Sequence, residues 1–188
     1  KMRLAAKFRL PLLTFVDTPG AYAGLEAEER GMGGAIATTM ALMVDLPTPI
    51  VTAIIGEGGS EGALALSVAD RILMLENAIL SPISPEGAAA LLYRDPDKAE
   101  MAATSLKLTA QDCRELGIVD AIVREPPGGA HQQPDEAARA LQRALVGALA
   151  QLQNKPAALL RAARYKKFRN MGEYSSYFKE LLLRHIPA

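Results

Sequence analysis

A glycine-rich run between an apolar segment and a segment of small residues constrains this chain more than any other feature. Residues 49–55 are largely apolar and predict a buried strand, residues 56–62 contain four glycines, and residues 62–68 predict a helix. Glycine lets a ligand approach the backbone closely, and the first N–H groups of a helix have no partner within it. The run therefore predicts either a tight packing turn or a site where backbone N–H groups meet an anionic oxygen.

Short apolar segments alternate with helical segments over the first 123 residues. We predict strands at 10–16, 50–55, 71–76, 78–80 and 118–123. We predict helices at 27–45, 62–68, 88–92, 96–106 and 109–116. Strands that are apolar along their whole length and alternate with helices indicate an α/β fold with a mostly parallel sheet. In the helix at 27–45, three early glycines indicate close approach to other backbone or to a ligand: Gly31, Gly33 and Gly34.

The C-terminal third of the chain is predicted to be helical. A loop at 125–133 is followed by helical patterns at 135–152 and 156–170, and a further helix is expected from Gly172 to His185. We therefore divide the chain into a core, 1–133, and a helical extension, 134–188. The basic residues at 161–169 predict either a solvated helix face or contacts with the phosphates of a ligand or with a partner chain.

Charge and cysteine content exclude several classes of protein. The 188 residues include 21 basic and 21 acidic side chains, so net charge gives no argument for nucleic acid or an anionic membrane. A single cysteine, Cys113, excludes an internal disulfide and a C-x-x-C zinc site, and it is predicted to pack inside a helix. No apolar run approaches the roughly 18 residues of a membrane span. Because the first residue is Lys1, we expect the chain to be a fragment of a longer protein.

Three familiar uses of a glycine-rich turn do not fit. A nucleophilic Ser60 would need a nearby base, but the chain has only His131 and His185, and no lysine lies between Ser60 and Lys98. Ser60 is therefore predicted to be a small turn residue. A P-loop would need a Lys-Ser/Thr pair, which the run lacks, and the acidic residues show no metal-ligand spacing. An oxyanion-binding site without a side-chain nucleophile remains.

Several separated motifs, in order along the chain, resemble one known family. They lie at 15–22 (FVDTPGAY), 27–31 (AEERG), 55–60 (IGEGGS) and 83–87 (ISPEG), with weaker matches at 125–131 and 164–172. Together they resemble the carboxyltransferase alpha subunit of bacterial and plastid acetyl-CoA carboxylase. The resemblance implies a crotonase-like fold, in which ββα units stack in a right-handed spiral with the helices outside.

The same resemblance implies an activity and a set of partners. The alpha subunit is expected to hold the biotin side of carboxyl transfer from carboxybiotin, on a biotin carrier protein, to acetyl-CoA. The product would be malonyl-CoA, the first committed intermediate of fatty acid biosynthesis, made within an ATP-dependent complex that includes biotin carboxylase. A beta subunit with a zinc ribbon would hold most of the acetyl-CoA site in an α2β2 assembly, so no metal is expected in this chain. The expected location is the bacterial cytoplasm or the plastid stroma.

The resemblance also assigns site residues. The biotin oxyanion hole is expected to use backbone N–H groups of Gly58, Gly59, Glu61 and Gly62. Loops expected on the biotin or substrate side comprise Gly20, Ala21, Tyr22, Ser84, Pro85, Glu86 and Gly87. Glu61 departs from the family, which usually has glycine there, and a position with positive φ would strain it. Two alternatives stay open: a non-catalytic structural subunit with the same fold, and a carboxyltransferase for another acyl-CoA.

Overall fold

The computed structural model describes residues 1–172 and shows a mixed α/β fold around a parallel sheet. The strands are β1 (Leu12–Thr18), β2 (Ile50–Gly59), β3 (Arg71–Leu75), β4 (Ile79–Ser81) and β5 (Ala121–Val123). Their order is β1-β2-β3-β5, with β4 on the far half of β2, and every strand pairing is parallel. The α/β prediction with a mostly parallel sheet is therefore confirmed.

Nine helices connect and cover these strands within residues 1–172. They are α1 (Met2–Phe8), α2 (Leu25–Glu29), α3 (Met32–Asp45), α4 (Ser60–Ser67), α5 (Pro85–Tyr93), α6 (Ala99–Leu106), α7 (Ala110–Glu115), α8 (Pro134–Ala150) and α9 (Ala157–Arg169). A single 3₁₀ turn, Pro96–Lys98, precedes α6. The helix predicted from Gly172 to His185 lies outside the described residues.

The helix predicted at 27–45 is two helices. Gly31 has φ 70°, a left-handed conformation that breaks the chain between α2 and α3. A Cβ at Gly31, Gly33 or Gly34 would have nothing within 4 Å, so these glycines do not pack against other backbone of the part of the chain that the structure describes. These glycines therefore mark a chain reversal and the exposed first turn of α3.

Strand β2 forms the centre of the core. Val51 and Ile54 are fully buried, and the chain continues in extended conformation to Gly59. The hydroxyls of Thr14 and Thr52 lie 2.7 Å apart, and both lie within hydrogen-bond distance of the Leu66 carbonyl oxygen, at 2.8 and 2.9 Å. Each hydroxyl has one proton, so two of these three contacts are hydrogen bonds at any one time. These contacts attach the end of α4 to β1 and β2. Because a helix is rigid, they also fix the position of its first residues.

Helix α9 is held to the core through two buried side chains, Leu160 and Arg164, of which Arg164 makes the polar contacts. Its guanidinium donates to both carboxylate oxygens of Asp70, at 3.0 and 2.8 Å, and to the carbonyls of Leu46 at 3.0 Å and Thr48 at 3.1 Å. Arg164 is 1% exposed, so neither a solvated face nor a phosphate contact describes it, and that part of the prediction for residues 161–169 is wrong. The residue joins α9 to the connection between α3 and β2.

Replacing Gly147 by alanine is expected to stabilise the protein by about 0.4–1 kcal/mol. Gly147 lies inside α8, is exposed, and a Cβ there would have nothing within 4 Å. Alanine lowers the conformational entropy of the unfolded chain, and its methyl group contacts no other atom in the folded protein. Urea denaturation of the two proteins, followed by circular dichroism, measures the difference. A loss of stability would contradict this account of α8.

None of the helices within residues 1–172 is long and apolar enough to cross a bilayer.

Candidate oxyanion site

The glycine-rich run is not an open turn. Strand β2 passes through Gly58 and Gly59, which pair with Leu80 and Ser81 of β4, and Gly58 also pairs with Thr18 of β1. The prediction that the strand ends at residue 55 is wrong because two neighbouring strands supply hydrogen-bond partners for the glycines. The change of direction falls at Ser60, the first residue of α4, whose φ is 49°.

The loop after β1 lies directly against this junction. A Cβ on Gly59 would be 2.2 Å from the Pro19 carbonyl oxygen, and a Cβ on Gly62 would be 2.9 Å from the Ala21 backbone nitrogen. Real Cβ atoms do not approach backbone this closely, so both positions require glycine. Gly20 and Ala21 therefore pack backbone-to-backbone against the glycine run.

A cavity of about 170 Å³, here called the glycine cavity, opens beside the junction. Its lining combines the end of β2 with the loop that follows β4 and includes Pro19, Glu57, Gly58, Gly59, Ser60, Ser81, Ile83, Ser84, Pro85 and Glu86. The structure thus brings two groups of predicted site residues, about 25 positions apart in sequence, to one cavity.

Helix α4 starts at this cavity without a capping side chain. Its first N–H groups belong to Ser60, Glu61 and Gly62, and Gly59 at the N-cap position has no side chain to accept from them. Such groups, with the helix dipole behind them, favour negative charge. The junction can therefore offer backbone donors to an oxyanion.

Glu61 fits this position without backbone strain. Its φ is not positive; the positive φ belongs to Ser60. Hydrogen bonds from the Ser60 hydroxyl and from the backbone N–H of Glu61 itself lower the pKa of the Glu61 carboxyl below its ordinary value. The carboxylate is therefore ionised at neutral pH, and it occupies one of the donors at the start of α4.

The Glu61 side chain lines a second cavity, here called the apolar groove. Its volume is about 320 Å³, and Ser60 and Ser81 border both cavities. The walls are mainly apolar and come from β2, β3, α4, α7 and α9, with Lys107 as the lining cation. No pattern in the sequence indicates this groove, because its walls span residues 54 to 171.

Two of the predicted site residues, Tyr22 and Gly87, line neither cavity. Tyr22 is 72% exposed, and its ring lies where a Cβ on Gly24 would be. Gly87 lies in the first turn of α5, where its N–H donates to the Ser84 hydroxyl at 3.1 Å. His131 lies in the loop after β5 beside Gly129, away from both cavities, and His185 lies outside the described residues.

Alkylation of Cys113 is expected to be about 100-fold slower in the folded protein than in the unfolded chain at pH 8. Burial raises the pKa of the Cys113 thiol from 9.0 to about 11, and two pKa units leave about one hundredth of the reactive thiolate. Cys113 lines the apolar groove, so small reagents can still reach it. Iodoacetamide labelling followed by mass spectrometry measures both rates, and equal rates would contradict the burial.

The sequence matches one protein family over most of its length. Residues 1–172 match the model of the acetyl co-enzyme A carboxylase carboxyltransferase-like family. The chain is 50% identical over 172 residues to the acetyl-coenzyme A carboxylase carboxyl transferase subunit alpha of Fusobacterium nucleatum, a match covering 92% of this chain and 55% of that protein. The corresponding subunit of Thermus thermophilus is 53% identical over 174 residues, covering 93% and 56%. The chain spans about half the length of these relatives.

Solved structures support the fold independently. A transcarboxylase 12S structure with methylmalonyl-coenzyme A aligns at a TM-score of 0.68 with 22% identity, over 82% of this chain and 29% of that one. A Pseudomonas malonate decarboxylase hetero-tetramer with coenzyme A aligns at 0.69 with 17% identity, over 98% and 75%. These similarities confirm the crotonase-like fold. The family match over residues 1–172 shows that the chain belongs to the acetyl co-enzyme A carboxylase carboxyltransferase-like family.

Proposed function

We propose that this chain provides the biotin side of a carboxyltransferase that moves a carboxyl group from carboxybiotin to acetyl-CoA, giving malonyl-CoA. The observation that carries the proposal is the glycine cavity, where the uncapped start of α4 meets the loop at 19–22. The relatives' name, acetyl-coenzyme A carboxylase carboxyl transferase subunit alpha, supports the same reaction.

The residues of the cavity suit a ligand whose oxygen becomes negative. Carboxybiotin would supply the carboxyl group, and its ureido oxygen would gain charge as that group leaves. Backbone N–H groups at the start of α4, beginning with Ser60, which lines the cavity, would hold this oxygen. Each such donor contributes about 3–4 kcal/mol to catalysis. Gly59 would shape the cavity because it leaves room beside the loop at 19–22, and Gly58 because it leaves room beside Leu80 and the Ile79 carbonyl. No side-chain acid or base is required, because the ureido group that has lost its carboxyl group could take the proton that the methyl group of acetyl-CoA gives up.

The remaining parts of the reaction would come from partners. A beta subunit would supply the acetyl-CoA site, and a biotin carrier protein with its biotin carboxylase would deliver the carboxyl group. Exposed apolar residues flank the elements that border the cavity: Tyr22, Leu25, Leu91 and Leu92. This surface would meet the beta subunit. We place the assembly where fatty acids are made, in the bacterial cytoplasm or the plastid stroma.

The natural protein that contains this chain, reconstituted with a beta subunit, is expected to form malonyl-CoA from carboxybiotin and acetyl-CoA. Glu61→Gly is expected to raise the rate by about tenfold, since it releases the Glu61 N–H and removes a negative charge beside the donors. Glu100→Gly is the matched control, because Glu100 holds the same second position in α6 and lines neither cavity.

Three outcomes separate the hypotheses. Activity of the Glu61→Gly form alone would assign the natural chain a structural role in its complex. Inactivity of both forms in an intact assembly would reject the carboxyltransferase proposal. Activity with a longer acyl-CoA and none with acetyl-CoA would favour the alternative acceptor. Mass spectrometry distinguishes malonyl-CoA from the heavier product of a longer acyl-CoA.

A further inference from the structure

The apolar groove runs from the buried core to the surface of the described residues. Ile54 and Ile72, which are 0% and 2% exposed, line it together with Leu64 and Leu116, which are 43% and 52% exposed. Exposed leucines beside buried isoleucines form an apolar surface that an apolar partner would take out of water. Amphipathic helices lay their apolar face into hydrophobic grooves of this kind.

The last residues that the structure describes lie at this groove. Helix α9 ends at Arg169, and both Phe168 and Met171 line the groove. Sixteen further residues, 173–188, follow Gly172. A segment that continues from Met171 therefore starts at the edge of the groove and needs no linker to reach it.

The sequence of this segment carries apolar residues at helical spacing. They follow the pattern i, i+3, i+4, i+7, i+8, which places side chains on one face of an amphipathic helix. The residues of this stripe are Tyr174, Tyr177, Phe178, Leu181 and Leu182. A helix of this length is stable mainly when its apolar face packs against another surface. The groove supplies such a surface where the segment begins.

We propose that residues 173–188 dock on the apolar groove of their own chain, with the stripe from Tyr174 to Leu182 against its walls. The family match ends at residue 172, so it assigns no role to this segment. Each large apolar side chain that leaves water favours the docked state by about tenfold. Attachment beside Met171 makes docking intramolecular, with an effective concentration of about millimolar. The segment of the same chain therefore outcompetes that of a second copy in dilute solution.

An indole in the segment reports docking. The chain has no tryptophan, so Phe178→Trp places a single indole in the stripe. In the full 188-residue chain we expect blue-shifted emission, with acrylamide quenching about tenfold weaker than in the urea-unfolded chain, because the docked indole is shielded from water. Dilution by about 100-fold should leave the quenching unchanged, since docking is intramolecular.

A change in the groove tests where the segment docks. Leu64→Asp, in the Phe178→Trp background, is expected to increase the quenching about tenfold, because it places an unpaired charge in the contact. Leu159→Asp is the matched control on α9, at a residue 60% exposed that lines neither cavity, and should leave the quenching unchanged. Circular dichroism checks that both variants keep their helices.

A second pair of variants changes only the segment. Leu181 belongs to the stripe, and Leu183, two residues later, lies about 200° away around a helix. In the same background, Leu181→Lys is expected to increase the quenching about tenfold and Leu183→Lys to leave it unchanged. These substitutions lie outside the described core, so the comparison does not depend on how the core tolerates a charge.

Four results would overturn the proposal. The first is an indole quenched equally in the folded and the unfolded chain. The second is a protected indole that Leu64→Asp does not affect, which would place the docked segment elsewhere. The third is protection that falls on dilution, which would assign the groove to the segment of a second copy. The fourth is an equal effect of Leu181→Lys and Leu183→Lys. None of these measurements involves carboxyl transfer, so the proposed function is tested separately.

Discussion

Replacing Arg164 by alanine is expected to lower the free energy of unfolding by about 3–5 kcal/mol. The change leaves the Asp70 carboxylate, 7% exposed, without its partner, and removes the donor to the carbonyls of Leu46 and Thr48. Asp70 would keep the backbone N–H of Ile50, at 2.8 Å, but a buried charge without its counter-ion is costly. Urea denaturation followed by circular dichroism gives the difference.

Arg161→Ala is the control for this prediction. It removes the same side chain from the same helix at an exposed position, and should change stability by no more than about 0.5 kcal/mol. Arg164→Lys should recover little of the lost free energy of unfolding, because a lysine ammonium cannot reproduce the bidentate pair with Asp70 and also reach the carbonyls. If Arg164→Ala lowers the free energy of unfolding by less than about 1 kcal/mol, α9 is held mainly by its apolar contacts.

Replacing Gly59 by alanine is expected to lower carboxyl transfer at least about 100-fold. The new methyl group would be 2.2 Å from the Pro19 carbonyl oxygen and 2.8 Å from the Gly20 nitrogen, so the loop at 19–22 would have to move. Overpacking of this kind also costs about 1–3 kcal/mol of stability. Initial rates of malonyl-CoA formation, measured well below the unfolding transition of the variant, separate the two effects.

Two glycine variants make the comparison specific. Gly147→Ala adds the same methyl group where a Cβ has nothing within 4 Å, and should leave the rate unchanged. Gly62→Ala, whose Cβ would be 2.9 Å from the Ala21 nitrogen, should have a rate of carboxyl transfer between those of Gly59→Ala and Gly147→Ala. Full activity of a folded Gly59→Ala protein would reject the role of the glycine cavity.

Local sequence predicted the architecture because the core strands are apolar on both faces. Ile50, Val51 and Ile54 are fully buried, as an apolar run between turn signals predicts for a parallel sheet. The end of β2 was misplaced because intrinsic preference disfavours glycine in strands. Pairing of Gly58 with Thr18 and Leu80 outweighs that preference, and both partners lie more than twenty residues away.

The residues of the glycine cavity could be named before their geometry was known. The motifs at 15–22 and 83–87 include residues of two loops, and the structure places Pro19 and Ser84 in the lining of the glycine cavity. The conformation of Glu61 could not be predicted in this way. Its strain depended on which residue of the strand-to-helix junction takes positive φ, and tertiary packing assigns that φ to Ser60.

The sequence by itself therefore determined the fold class and the family, and it named segments that line the glycine cavity, because each is encoded in short segments with a local physical meaning. Only the tertiary structure decided that β2 runs through its glycines, that Arg164 is buried against Asp70, and that an apolar groove lies beside Ser60. Each of these depends on contacts between distant segments. Their energies arise only when the chain has folded.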